Sequence, residues 1–295
     1  QKEYRMSQII NSLAEISDRY DALFCDLWGC VHDGLTPFAD AIRAMQSFRA
    51  KGGTVMLVTN APRPHAPVRK QLQRIGVPDN AYDGIATSGD SARAAMFCGA
   101  VGQNIYFIGQ PHDQDFFSPL ELVEDPKTIT QVTLEEAEGI VCCGPFDPLA
   151  DLQEMQPQLL FAKSKGLKLL CANPDIVVDR GNTREWCAGA LAKLYTEIGG
   201  ESLYFGKPHS PIYDLARLRL NTLGKSIPDS RILCVGDGVL TDIDGALGEE
   251  LDSLFITGGL AARETKTVDQ PEPQALEAYL TQEMMQPTYS IGKLR

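Results

Sequence analysis

A short apolar run that stops on a carboxylate constrains this chain more than any other feature. Ala22-Leu23-Phe24-Cys25 is uniformly apolar; Asp26 follows, then Leu27-Trp28-Gly29-Cys30-Val31-His32-Asp33-Gly34. Such a run, bounded by Asp and Gly, reads as a strand covered on both faces, the kind found in parallel sheets. In an open parallel α/β sheet, ligands bind beyond the carboxyl ends of the strands. Asp26 at such an end is placed for chemistry. The other reading is an Asp that caps a strand before a turn. Comparable residues recur at other strand ends downstream, in a fixed order, and they favour the first.

The rest of the chain alternates in the same way. A helix starts at Pro37-Phe38-Ala39-Asp40, repeats Ala41, Ile42, Met45 and Phe48 at helical spacing, and stops at Lys51-Gly52-Gly53. A strand over 54–58 runs into Thr59-Asn60-Ala61-Pro62-Arg63-Pro64, a helix covers 65–75, and a strand over 84–87 ends in Ser88-Gly89-Asp90. This β-α-β-α-β order predicts a parallel sheet. The pattern then changes. A helix over 91–100, a strand over 105–108 and an irregular acidic stretch over 110–135 precede a strand at 139–143. A helix to 165, a strand over 167–171 ending in Ala172-Asn173-Pro174-Asp175, and a helix over 188–198 complete this part. The first pattern resumes with Gly206-Lys207-Pro208, a helix over 212–223, and a strand over 231–235. That strand leads into Gly236-Asp237-Gly238-Val239-Leu240-Thr241-Asp242-Ile243-Asp244. A strand over 253–257 ending in Gly258-Gly259 and a helix over 273–285 follow. The predicted fold is a doubly wound, Rossmann-like parallel α/β core from residues 1–90 and 202–295, with a smaller α/β domain, 91–201, inserted.

Composition removes several classes. The 295 residues carry a net charge of −12 and no long basic run, which argues against a nucleic-acid partner. No apolar run approaches the roughly 18 residues of a membrane span, and the N-terminal segment has no signal-type apolar core, so a cytoplasmic location is expected. The eight cysteines lack the paired spacing of a zinc site. They sit mostly in apolar, strand-like runs, as Cys25, Cys98, Cys142, Cys143, Cys171 and Cys234 do, and all eight are expected to be reduced core residues.

Asp26, Thr59-Asn60, Lys207 and the pair Asp237 and Asp242 each lie at or just after a predicted core strand end. Together they make an inventory for phosphoryl transfer. A carboxylate nucleophile splits a hard hydrolysis into two easier steps. Oxygen ligands from Asp26 and Asp237 suit Mg²⁺. A Thr hydroxyl and nearby N–H groups can hold phosphate oxygens, and Lys207 offsets the negative charge.

These short motifs, in this order around an insert, resemble the haloacid dehalogenase-like superfamily. The resemblance is to its class IIA, which includes nitrophenyl phosphatases, pyridoxal phosphatases and the NagD type. It covers nearly the whole chain. It implies Asp26 as nucleophile, the Trp28 carbonyl with Asp26 and Asp237 as Mg²⁺ ligands, and Thr59-Asn60-Ala61 as the phosphate loop. It also implies Lys207 as the cation that offsets the negative charge, Asp242 in support, and Asn173-Pro174-Asp175 as the cap signature near substrate. The implied activity is hydrolysis of a small phosphorylated metabolite, and the implied assembly is a homodimer through the cap. One position departs from the pattern. The family's second Asp, its general acid and base, is Trp28 here, and His32 or Asp33 could substitute. The departure keeps two other readings open: a weakly catalytic phospho-ligand binder or regulator, and a phosphotransferase or phosphonate-type lyase.

The remaining polar residues read as structural. Asp244 fits a helix surface, His65 and His209 lack a visible partner cluster, and Arg184 near Trp186 fits a solvated face. Asp33-Gly34 suits a bend, and Asn173 and Asp175 suit turn chemistry around Pro174.

Overall fold

The computed structural model of the protein describes residues 6–180 and 182–295. In chain order the first elements are β1 (Gln8–Ile9), β2 (Ala22–Cys25), α1 (Ala39–Ala50), β3 (Thr54–Thr59), α2 (His65–Ile75), β4 (Gly84–Thr87) and α3 (Ser88–Phe97). Next come β5 (Asn104–Ile108), β6 (Thr130–Gln131), β7 (Gly139–Cys142), α4 (Gln156–Ser164), β8 (Lys168–Cys171), β9 (Val177–Arg180), β10 (Thr183–Trp186), α5 (Ala188–Glu197) and β11 (Glu201–Tyr204). The last are α6 (Ser210–Thr222), β12 (Ile232–Gly236), α7 (Asp244–Gly248), β13 (Asp252–Ile256), α8 (Pro273–Gln282) and β14 (Tyr289–Ile291). The chain divides into two compact units. One holds the segment up to Thr59, Arg69–Ala86 and Tyr213–Arg295; the other holds Asn60–Val68 and Thr87–Ile212.

The first unit is built on a seven-stranded sheet in the order β1-β14-β13-β12-β2-β3-β4. Its described pairings are parallel, as the alternation predicted. Every residue of β2 and β3 is buried, which is why β2 and the Val55–Val58 stretch of β3 read as unbroken apolar runs. Helix α1 buries Ala41, Met45 and Phe48, one stripe at helical spacing. Cys25 pairs with Leu57 on one side and Val235 on the other. Asp26, Asp237 and Thr59 therefore stand at the carboxyl ends of three adjacent strands. After β12 the chain makes a π-helical turn, Val239–Ile243, which sinks Val239 and Ile243 among Phe255, Leu276 and Leu280.

The second unit has a five-stranded parallel sheet, β11-β8-β7-β5-β6, and a separate antiparallel pair, β9 with β10. Alternate residues of β7 and β8 serve opposite faces. Ile140, Cys142, Leu169 and Cys171 join Leu159 of α4 and Leu191 and Tyr195 of α5. Val141, Cys143 and Leu170 join Ala92 and Met96 of α3 and Phe116. Adjacent Cys142 and Cys143 thus belong to two different core layers.

Several expectations change. The strand at 201–204 does not return to the first sheet but pairs with β8, so the boundary placed at 202 falls inside the second sheet. Helix α3 begins at Ser88 rather than 91, because the Thr87 hydroxyl accepts a hydrogen bond from the Asp90 N–H. The stretch 110–135 contains a 3₁₀ helix, Pro111–Phe117, and the short β6. Cys98, expected inside, is exposed at the end of α3; the other seven cysteines are buried thiols. Among the described residues no helix is long and apolar enough to cross a membrane.

Candidate active site

The first unit gathers the carboxylates. One ligand atom each from Asp26, Cys30 and Asp237 lies within 4.8 Å of the others. Asp26 is set by its strand: its N–H donates to the Val235 carbonyl (2.8 Å) as though β2 continued. Asp237 is 5% exposed, and its Oδ2 accepts from the Leu260 N–H (3.0 Å). Glycines make room for it: a Cβ on Gly29 would come within 2.2 Å of Oδ2, and one on Gly259 within 2.1 Å. Gly29 also has φ +74°, a conformation that favours glycine. Asp242 is buried, and its Oδ2 accepts from the Gly238 N–H (2.9 Å), tying the loop after β12 back on itself. Two carboxylates this close repel unless a cation lies with them, and a pair of hard oxygen donors fits a divalent ion such as Mg²⁺. Burial, then the charges of Asp237 and Asp26, push the Cys30 thiol well above its usual range.

The flap after Asp26 is organised by Trp28. Its indole meets the His32 ring edge-on, with centroids 5.1 Å apart. A Cβ on Gly34 would lie 2.3 Å from the indole carbons, so glycine at 34 and tryptophan at 28 are complementary. His32 is 1% exposed, its Nδ1 accepts from the Gly34 N–H (2.9 Å), and burial pulls its pKa down to about 4. Asp33 is an exposed turn cap: its Oδ1 accepts from the N–H groups of Thr36 (2.6 Å) and Leu35 (2.9 Å), which pull its pKa down. Both residues expected as stand-in proton donors are thus engaged in holding the flap, with His32 neutral inside it and Asp33 ionised at its turn.

The buried imidazole makes stability depend on pH. The unfolded chain protonates His32 near its ordinary value of 6.5 and the folded chain only near 4, so its contribution is complete above 6.5 and is lost as pH falls toward 4. The upper limit is about 3 kcal/mol. Urea unfolding at about pH 7 and about pH 4 should show wild type losing roughly 2–3 kcal/mol more than His32→Asn. Equal losses would contradict a neutral His32.

The second unit holds Asn60 and Lys207 in one knot. The Asn60 side-chain amide pairs with the Lys207 main chain in both directions: Oδ1 accepts from its N–H (2.7 Å), and Nδ2 donates to its carbonyl (3.0 Å). The same Nδ2 donates to Asp175 Oδ1 (2.8 Å), while Asn173 Oδ1 accepts from the Asp175 N–H (3.0 Å). Gly206 is required here, since a Cβ would come within 2.5 Å of Asn60 Oδ1 and 2.6 Å of Ser88 Oγ. Asn60→Ala removes both bonds from the buried Lys207 backbone. The expected cost is about 2–4 kcal/mol, read as a lower midpoint in thermal unfolding; an unchanged midpoint would show that the knot carries no stability.

Comparison with known proteins places this arrangement. The family model for haloacid dehalogenase-like hydrolases matches residues 23–122, and a second, HAD-hydrolase-like model matches residues 204–282. A solved haloacid dehalogenase-like hydrolase from Brucella suis 1330 is 42% identical; the match covers 97% of this chain and 100% of that one, with a TM-score of 0.84. The chain belongs to the haloacid dehalogenase-like hydrolases. Its fold is shared by glycerol phosphate phosphatase Rv1692 from Mycobacterium tuberculosis, solved in complex with magnesium, at 22% identity and TM-score 0.69 over 95% of this chain and 77% of that one. The 5'-nucleotidase YutF of Bacillus subtilis (strain 168) is 23% identical over 256 residues, 86% of this chain and 93% of the relative.

Within this hydrolase several contacts were not legible in the sequence. Cys30 gave no signal beyond its closeness to Asp26. Leu260 could have been suspected from Gly258-Gly259 at a strand end. His65 does have a partner: its Nδ1 lies 2.7 Å from Oδ2 of the fully buried Asp90, whose Oδ1 accepts from Arg93 (2.8 Å). His209 stacks on Tyr204, Arg184 pairs with Asp179 across the β9–β10 hairpin (2.7 Å), and Asp244 opens α7.

Proposed function

We propose that this hydrolase is a phosphatase that cleaves a small phosphate ester through an aspartyl phosphate on Asp26. An Asp26 oxygen attacks phosphorus while the bond to the leaving oxygen breaks, and the departing alkoxide takes up a proton from solvent. Water then attacks the phosphorus of the acyl phosphate and gives up a proton to solvent, releasing inorganic phosphate and restoring the carboxylate. Asp26, Asp237 and the Trp28 carbonyl are the groups to hold Mg²⁺, which when bound would neutralise charge on the phosphoryl oxygens. Thr59, Ala61 and Lys207 are assigned to the phosphate in this reading. Asn60 acts through Lys207, because its amide is engaged with that residue's main chain. Asp242 supports the loop that carries Asp237.

The observation that carries the reading is the Asp26–Asp237 pair at adjacent parallel strand ends. The activities named for the Bacillus and Mycobacterium relatives, a 5'-nucleotidase and a glycerol phosphate phosphatase, lie in the same substrate class. A screen of phosphorylated metabolites with Mg²⁺ tests it, and full turnover in a chelator would overturn the metal assignment. A second reading, a slow enzyme used chiefly to bind a phosphorylated ligand, is favoured by one feature: Trp28 stands two residues after Asp26 in place of a carboxylate, and His32 and Asp33 are committed to the flap.

A further inference from the structure

The loop after β13 meets the site with its main chain. Gly258-Gly259-Leu260 leaves the strand end, and the Leu260 N–H donates to Oδ2 of Asp237 (3.0 Å). The last torsion of an aspartate is broad and roughly two-fold, so a donor fixed on one oxygen sets how the carboxylate is turned. The path of the loop places that donor, and three threonines hold the path. The Ala261 carbonyl, next to Leu260, accepts from both the N–H (3.0 Å) and the hydroxyl (2.7 Å) of Thr265. Thr265 Oγ1 lies 2.7 Å from Thr267 Oγ1, which donates to Thr257 Oγ1 (2.8 Å). That last hydroxyl donates to the Ile291 carbonyl (3.3 Å) and so ties the loop to β14, the strand beside β13. Thr257 and Thr265 are 0% exposed, so neither hydroxyl is there to meet water. What sets this staple apart from an ordinary buried turn is its far end: the residue next to Ala261 holds Asp237.

We propose that the hydroxyl staple of Thr257, Thr265 and Thr267, acting through the Leu260 N–H, fixes the orientation in which Asp237 takes Mg²⁺, so that Thr265 is a positioning residue for metal binding. The proposal rests on the metal reading of Asp26 and Asp237. Groups that orient a metal ligand from behind are typically worth about 10–100-fold in affinity. The Thr265 hydroxyl stands one step further back, which places it at the lower end of that range.

Thr265→Val in the full chain tests this. It keeps the branched shape and the N–H bond to Ala261 and removes only the hydroxyl, which Thr265→Ser returns. Isothermal titration with Mg²⁺ should show Thr265→Val binding roughly tenfold more weakly than wild type, and Thr265→Ser within about twofold of it. In the absence of metal, hydrogen exchange at the Leu260 amide, followed by NMR, should be at least about tenfold faster in Thr265→Val and close to wild type in Thr265→Ser. Unchanged exchange at the amides of β3 shows that each variant is folded. Thr267→Val breaks the same row at its middle link and should shift both readouts in the same direction. Wild-type Mg²⁺ affinity in both valine variants overturns the proposal, as does weakened affinity with unchanged exchange at Leu260. If wild type itself binds no Mg²⁺, the metal reading falls and the positioning role with it.

Discussion

Asp26→Asn lowers turnover of any phosphate ester by at least about 10⁴-fold, the scale on which removal of a covalent nucleophile is felt. The side chain keeps its shape but exchanges an anionic oxygen for an amide, which neither attacks phosphorus nor forms an acyl phosphate. The position tolerates the change structurally. Asp26 is partly exposed at the end of β2, and its backbone bond to Val235 does not involve the carboxylate. Circular dichroism and the unfolding midpoint should therefore stay close to wild type. The substitution also takes one charge from the pair with Asp237, so Mg²⁺ affinity should fall as well. Activity within tenfold of wild type would mean that Asp26 is not the nucleophile.

On nitrophenyl phosphate the wild-type protein should release a burst approaching one nitrophenolate per chain, then turn over slowly. The departing group needs no proton when it is a good one, so the first step survives without a general acid. The water that resolves the aspartyl phosphate must lose a proton, and the indole of Trp28 cannot take it. General acid–base catalysis is worth about 10²–10⁴ in rate. Trp28→Asp should raise the steady rate within that range. Because the indole rests against His32 and fills the space over Gly34, its removal also loosens the flap. Trp28→Ala loosens the flap to a similar degree without a carboxyl group, so a gain confined to the Asp variant reports proton transfer. Equal rates on alkyl and aryl phosphates with no burst would show that another group supplies the proton.

Local burial wrote itself into the sequence. β2 is apolar at every position and β3 from Val55 to Val58 because both faces are covered, and α1 shows its buried stripe at Ala41, Met45 and Phe48. Asp26 and Asp237 were legible as candidate site residues because a carboxylate directly after such a run has few structural uses. The partners of these elements were not legible. Glu201-Ser202-Leu203-Tyr204 reads as a strand, but periodicity reports which face is buried and not which neighbour supplies the backbone hydrogen bonds; only the folded chain sets it beside β8. Asn60 and the Lys207 main chain meet across 147 residues, and His65 and Asp90 across 25. Cys30 counted in the sequence as one more core thiol, and the turn on the Leu27 carbonyl brought it to the carboxylates. Apolar spacing records how much water each residue loses on folding, a local quantity. A hydrogen bond or a metal ligand depends on where a distant segment ends up, and tertiary packing decides that.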